Sequence, residues 1–124
     1  MKEVLATEKA PSAIGPYSQG IVAGNTVFVS GQIPVDPATG QIPQGIEAQT
    51  AQSLKNMTAI LEQNGMTLDN VVKTTVFLTD LNDFAAMNGV YAQFFREPYP
   101  ARSAVQVAAL PKGAPIEIEC FAVK

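Results

Sequence analysis

The chain contains no histidine and a single cysteine, Cys120. Without imidazole the commonest general base near neutral pH is missing, so chemistry falls to carboxylates, tyrosines, one thiol, backbone groups and water. A lone cysteine excludes an internal disulfide, and no Cys or His pair has metal-ligand spacing, so no metal site is expected. A reducing compartment, the cytoplasm, fits this cysteine usage. Charge is sparse as well. Charged residues make up 15% of the chain, against roughly 25% in ordinary soluble domains, which leaves uncharged surface open to a partner subunit. The eight Lys and Arg are scattered singly from Lys2 to Lys124 and the net charge is -3, so nucleic acid is disfavoured as a partner. No apolar run approaches the length of a membrane span. Glu3, Glu8 and Lys9 interrupt the start of the chain, so no signal peptide is expected.

What is present fits one compact domain over residues 1–124, since 47% hydrophobic content is enough for a real core. Residues 17–23 and 26–32 read as two strands joined by Gly24-Asn25, residue types that supply positive φ in a tight hairpin. Residues 33–45 hold Pro34, Pro37, Gly40, Pro43 and Gly45 and read as a surface loop. From Ile46, the spacing of Glu47, Ala51, Leu54, Thr58 and Leu61, broadened by Met57 and Ile60, predicts a helix stopped at Asn64-Gly65. Asn56-Met57-Thr58 matches a glycosylation sequon but lies inside that helix, and we read it as chance. Residues 71–79 are rich in β-branched side chains and predict a strand flanked on both sides. Asn82 or Asp83 can cap a second helix carrying Phe84, Met87, Val90, Tyr91 and Phe94 on one face and ending before Pro98. Residues 102–110 and 116–123 are the last strands, around the turn at 111–115. The order is β-β-α-β-α-β-β, with a further strand near residues 4–6, and it argues for an α+β fold with one sheet and both helices on one face.

Two charges stand out. Arg102 opens one terminal strand and Glu117 opens the other. A short turn makes those strands antiparallel. With Leu110 set opposite Ile116, Arg102 and Glu117 are displaced by about seven residues, roughly 23 Å along the strand. One small ligand cannot bridge that gap, so a shared substrate requires two subunits. Each residue also fits an ordinary surface position. Glu117 and Glu119 point away from Ile116, Ile118 and Cys120, yet Phe121 and Val123 share their face, which makes partial burial of Glu117 plausible.

Read together, several stretches resemble the RidA family, the reactive intermediate/imine deaminases, also called the YjgF or endoribonuclease L-PSP family. They are Ala13-Ile14-Gly15-Pro16-Tyr17-Ser18-Gln19-Gly20, Val29-Ser30-Gly31-Gln32-Ile33-Pro34, Val72-Lys73-Thr74-Thr75-Val76-Phe77-Leu78, Asn82-Asp83-Phe84, Tyr99-Pro100-Ala101-Arg102-Ser103, and Leu110-Pro111 with Ile116-Glu117-Ile118-Glu119. The resemblance implies a chorismate-mutase-like subunit, a homotrimer whose sheets form a central barrel, and clefts between adjacent subunits. It implies cofactor-free hydrolysis of enamine and imine acids of the 2-aminoacrylate and 2-aminocrotonate type to 2-keto acids and ammonia. Pyridoxal-phosphate-dependent dehydratases would release those substrates.

In that reading Arg102 grips the substrate carboxylate through two parallel charge-assisted bonds, which Lys would imitate poorly. Glu117 holds and polarises the attacking water, and Tyr17, Ser30, Gly31 and Asn88 line the cleft. Many members of the family carry Cys two residues after the arginine, where this chain has Ala104, so no thiol at that position can be required here. Cys120, by its parity with Ile116 and Ile118, is expected to be buried and inert. Two other readings stand beside this one: an endoribonuclease acting as a translation inhibitor, and a non-catalytic module that binds small carboxylates.

Overall fold

A computed structural model describes residues 1–124. Its strands are β1 (Lys2–Leu5), β2 (Gly20–Ala23), β3 (Thr26–Gln32), β4 (Val71–Leu78), β5 (Ala101–Gln106) and β6 (Ile116–Val123), with helices α1 (Ile46–Glu62) and α2 (Phe84–Phe94). They form one mixed sheet in the order β1-β2-β3-β6-β4-β5. Only β4 and β5 are parallel, because α2 carries the chain back across one face between them, as a parallel pair requires.

The β2–β3 hairpin turns at Gly24-Asn25 as expected, but only Gly24 takes positive φ, at 62°. Tyr17, Ser18 and Gln19 lie outside β2, contrary to the strand expected from residue 17. Asp83 stands at the N-cap position of α2, as expected, but its side chain makes no capping bond. Asp80 caps the short 3-10 turn over Leu81–Asp83 that leads into the helix, accepting from the Asn82 N–H at 2.9 Å.

The core lies between the helices and one sheet face. Leu54, Met57, Ile60 and Leu61 of α1 and Met87 of α2 are fully buried there with Val27, Val76, Leu78, Ile116, Ile118 and Ala122. The buried face of α1 is rotated from the one expected: Glu47 is exposed, while Thr50, Ser53 and Asn56 are buried. These polar residues hid the stripe from a hydrophobic pattern. The Asn56 amide donates to the carbonyls of Val35 at 2.9 Å and Ile33 at 3.3 Å, which ties part of the expected surface loop to the core. With Asn56 fully buried, the sequon cannot be glycosylated in the folded chain. No helix is long and apolar enough to cross a membrane.

The register corrects the offset between the terminal strands. β5 ends at Gln106, so residues 107–110 are connection and not strand, and β4 separates β5 from β6. Thr74 of β4 is level with both Arg102 and Cys120, and Phe77 is level with both Val105 and Glu117. Arg102 and Glu117 are therefore three residues apart in register, roughly 10 Å along the strands and about 10 Å across two strand spacings.

The second face of the sheet has no helix over it. Phe28 and Phe121 meet there edge to face, with ring centroids 5.2 Å apart, and they remain 43% and 42% exposed. Val105, on the edge strand β5 whose outer side is unpaired, is 41% exposed.

Candidate active site

Cross-strand partners in a sheet share a face. Arg102 shares its face with Thr74 and Cys120, both buried beneath the helices, whereas Glu117 shares the open face with Phe77 and Val105. The two charges thus lie on opposite faces of one sheet. This separates them within a subunit more firmly than the distance along the strands does.

The arginine half is built by β5 and α2. Arg102 Nη1 donates to Asn88 Oδ1 at 2.6 Å. Its guanidinium carbon stands 4.8 Å from the Tyr91 ring centroid and 5.4 Å from that of Phe84. Tyr91 is itself fixed by a 2.7 Å hydrogen bond between its hydroxyl and that of Thr74. Two aromatic rings and one amide hold the fork in place while its charge has no carboxylate partner, since the chain's one ion pair joins Arg96 and Asp69. Arg102 and Asn88 border a cavity of about 640 Å³ with Tyr91, Tyr99 and Pro100. Such an arginine is prepared for an anionic group with two acceptor oxygens.

The carboxylate half is built by β3, β6 and the segment before β2. Glu117, Tyr17, Ser30 and Gly31 line one cavity of about 610 Å³, together with Glu119, Gln19, Ile14 and Lys112. Gly31 sits at an irregularity in the β3–β6 pairing, between Val29 and Gln32. A Cβ on it would fall 2.6 Å from Glu117 Cδ and 2.9 Å from Cγ, so the glycine makes room for the carboxylate itself. Burial, and then the neighbouring Glu119, push the Glu117 carboxyl above its ordinary pKa, which makes the ionised form a stronger base. Ser30 Oγ donates to the Ser18 carbonyl at 2.6 Å, so its hydrogen is committed and only its lone pairs remain for a ligand.

The six expected site residues therefore fall into two groups, Tyr17, Ser30, Gly31 and Glu117 in one cavity and Asn88 and Arg102 in the other. A model of the family described as endoribonuclease L-PSP matches residues 7–124.

The chain belongs to the endoribonuclease L-PSP, or RidA, family.

Its RidA-family relatives are similar over their whole length. The 2-iminobutanoate/2-iminopropanoate deaminase of Escherichia coli K12 is 54% identical, the match covering 100% of this chain and 99% of the relative. A RutC family protein of Pyrococcus horikoshii is 58% identical, with the same coverage. Among solved structures, Escherichia coli TdcF with bound serine superposes with a TM-score of 0.94 at 52% identity, covering 98% of both chains.

As its parity with Ile116 and Ile118 predicts, the thiol of this RidA-family chain is not positioned for chemistry. Cys120 is 1% exposed, and burial pushes its pKa up to about 12. Ala104 shares the Arg102 face and supplies no sulfur. Gln19, Glu119 and Lys112 were not singled out from the sequence for the site, although Gln19 and Glu119 fall within the matching stretches. Glu119 was legible, because it has the parity of Glu117. The positive φ of Lys112, 58°, carries no residue-type signal that could have revealed it.

Proposed function

We propose that this chain hydrolyses 2-imino and enamine acids to 2-keto acids and ammonia, in clefts formed where the Arg102 half of one subunit meets the Glu117 half of the next. The separation of these residues onto opposite sheet faces carries the proposal. Each half-site is incomplete, one holding an unpaired cation fork and the other a partly buried carboxylate. The names of relatives more than 50% identical across the whole chain support the reaction class. The bound serine of TdcF supports a small amino-acid-like ligand. A homotrimer with a central barrel would cover the exposed Phe28, Phe121 and Val105 face and the free edge of β5.

In this site Arg102 binds the substrate carboxylate in two parallel hydrogen bonds, oriented by Asn88 and by the Tyr91 and Phe84 rings. The iminium carbon is then presented to water held by Glu117. As the water oxygen bonds to that carbon, Glu117 accepts the water proton and the C=N π electrons move to nitrogen. Glu117 returns that proton to the nitrogen and takes the hydroxyl proton as the carbinolamine collapses, forming the C=O bond and breaking the C–N bond to release ammonia. An iminium carbon is already electrophilic, so the step calls for neither histidine nor a cofactor. Tyr17, Ser30 and Gly31 line the Glu117 side of the cleft, where the substrate would meet them. The chain works as one domain in a reducing, cytoplasmic setting, where pyridoxal-phosphate-dependent dehydratases supply its substrates.

The test couples the protein to a serine or threonine dehydratase and follows keto-acid release. Release faster than the uncatalysed background with the wild type, and no acceleration with Arg102→Ala, supports the proposal. No acceleration, or full activity in Arg102→Ala, refutes it.

A further inference from the structure

Gln19 is 5% exposed, yet it carries an amide with four hydrogen-bonding contacts, all to the backbone of one segment. Its Oε1 accepts from the Thr7 N–H at 2.7 Å. Its Nε2 faces the carbonyls of Thr7 at 3.1 Å, Ala10 at 3.3 Å and Pro11 at 2.7 Å. Two N–H groups thus serve three acceptors, one of them shared. The backbone of Gln19 is anchored separately, since its carbonyl accepts from the Ser30 N–H at 2.9 Å. Ser30 Oγ holds the adjoining Ser18 carbonyl. One side chain therefore connects a strand-anchored backbone to a segment without regular structure.

That segment leads directly to Pro11, Ser12, Ile14 and Tyr17, which wall the cavity containing Glu117. We propose that Gln19 is a positioning residue, whose amide sets the place of this wall and thereby substrate affinity at the Glu117 half-site. The proposal rests on the imine-acid reading of the cleft for its kinetic part and on geometry alone for its structural part. Only a terminal amide of this length supplies both an acceptor for the Thr7 N–H and donors for the carbonyls. A carboxylate in its place would set oxygen against oxygen at Thr7, Ala10 and Pro11. Such a change loosens the wall without adding or removing bulk in the core.

The experiment compares wild type with Q19E in two measurements. The first is the rate of trypsin cleavage after Lys9, an exposed residue within the held segment. The second is the split between KM and kcat for 2-aminoacrylate generated by a dehydratase. Expected are Lys9 cleavage faster by about tenfold and KM raised by about tenfold, with kcat changed by less than about threefold. Cleavage at the wild-type rate, or a loss confined to kcat, overturns the proposal. Should Q19E fail to fold, Q19M keeps the volume, removes the polar contacts and carries the same two measurements. An inactive wild type overturns the reading of the cleft instead, and the cleavage rate then decides the role of Gln19 by itself.

Discussion

Gly31 and Glu117 occupy complementary space: a methyl group on the glycine would lie 2.6 Å from the carboxylate carbon of Glu117. Non-bonded carbons pack at roughly 3.5–4.0 Å, so one of the two residues must move if residue 31 gains a side chain. The φ of Gly31 is not positive, which makes this a matter of space and not of backbone conformation.

Gly31→Ala should therefore turn Glu117 away from the cleft. Activity should fall by about 10- to 100-fold through misplacement of the carboxylate, while stability changes little, because the crowded atoms are the movable end of a side chain beside an open cavity. Steady-state kinetics and thermal unfolding of the same preparation check both. An active Gly31→Ala protein would show that Glu117 need not stay where the fold puts it.

The raised pKa of Glu117 has a definite sign in stability. Burial, then Glu119, make the folded state hold this proton to higher pH than the unfolded chain does. Ionisation therefore destabilises the fold, with no penalty below the ordinary carboxylate range and the full penalty above the raised pKa. Glu117→Gln should melt higher than wild type near pH 7, and the difference should vanish toward about pH 4, while activity is lost. Glu119→Gln removes one cause of the shift, so the acid limb of its kcat/KM profile should move to lower pH.

Arg102→Lys keeps the charge but loses the fork that Asn88 and the two aromatic rings orient. A fall of about 100-fold in kcat/KM is expected, mostly in KM if the contact serves binding. Asn88→Ala, which leaves the fork in place but frees it to rotate, should cost less. A binding module without turnover would behave differently. Serine affinity, followed by calorimetry, would then depend on Arg102 and be indifferent to Glu117→Ala.

Because Arg102 and Glu117 lie on opposite sheet faces, two inactive variants should complement each other. Unfolding and refolding an equal mixture of Arg102→Ala and Glu117→Ala chains places an intact arginine half against an intact glutamate half at about one interface in four. Recovery near a quarter of wild-type activity is expected in the coupled assay. A mixture as inactive as its components would mean that each cleft draws both residues from one subunit.

Much of the fold was legible because its signals are local. Alternation over Ile116, Glu117, Ile118, Glu119 and Cys120 assigned the two faces of β6 correctly, and Gly24 marked the hairpin. The burial of Cys120 followed from the same parity. Less was legible where polar side chains sit inside: Thr50, Ser53 and Asn56 disguised the buried face of α1. In β5, Ala101, Ser103 and Gln106 are exposed and only Arg102 and Ala104 are partly covered. That strand has no hydrophobic alternation to reveal which face the arginine takes or where the strand ends.

The sequence by itself determined which helices and strands form and which side-chain types are available to the chain, because helix period, strand parity and side-chain type are properties of neighbouring residues. Its resemblance to the family named residues that line two cavities, although not how they divide between them. Only the tertiary structure decided that β4 lies between β5 and β6, that Arg102 faces the helices and Glu117 the open sheet, and that Gln19 holds a distant segment. Those facts depend on contacts between residues far apart in the chain, where the pairing of β4 with both β5 and β6 fixes the register and no local pattern records it.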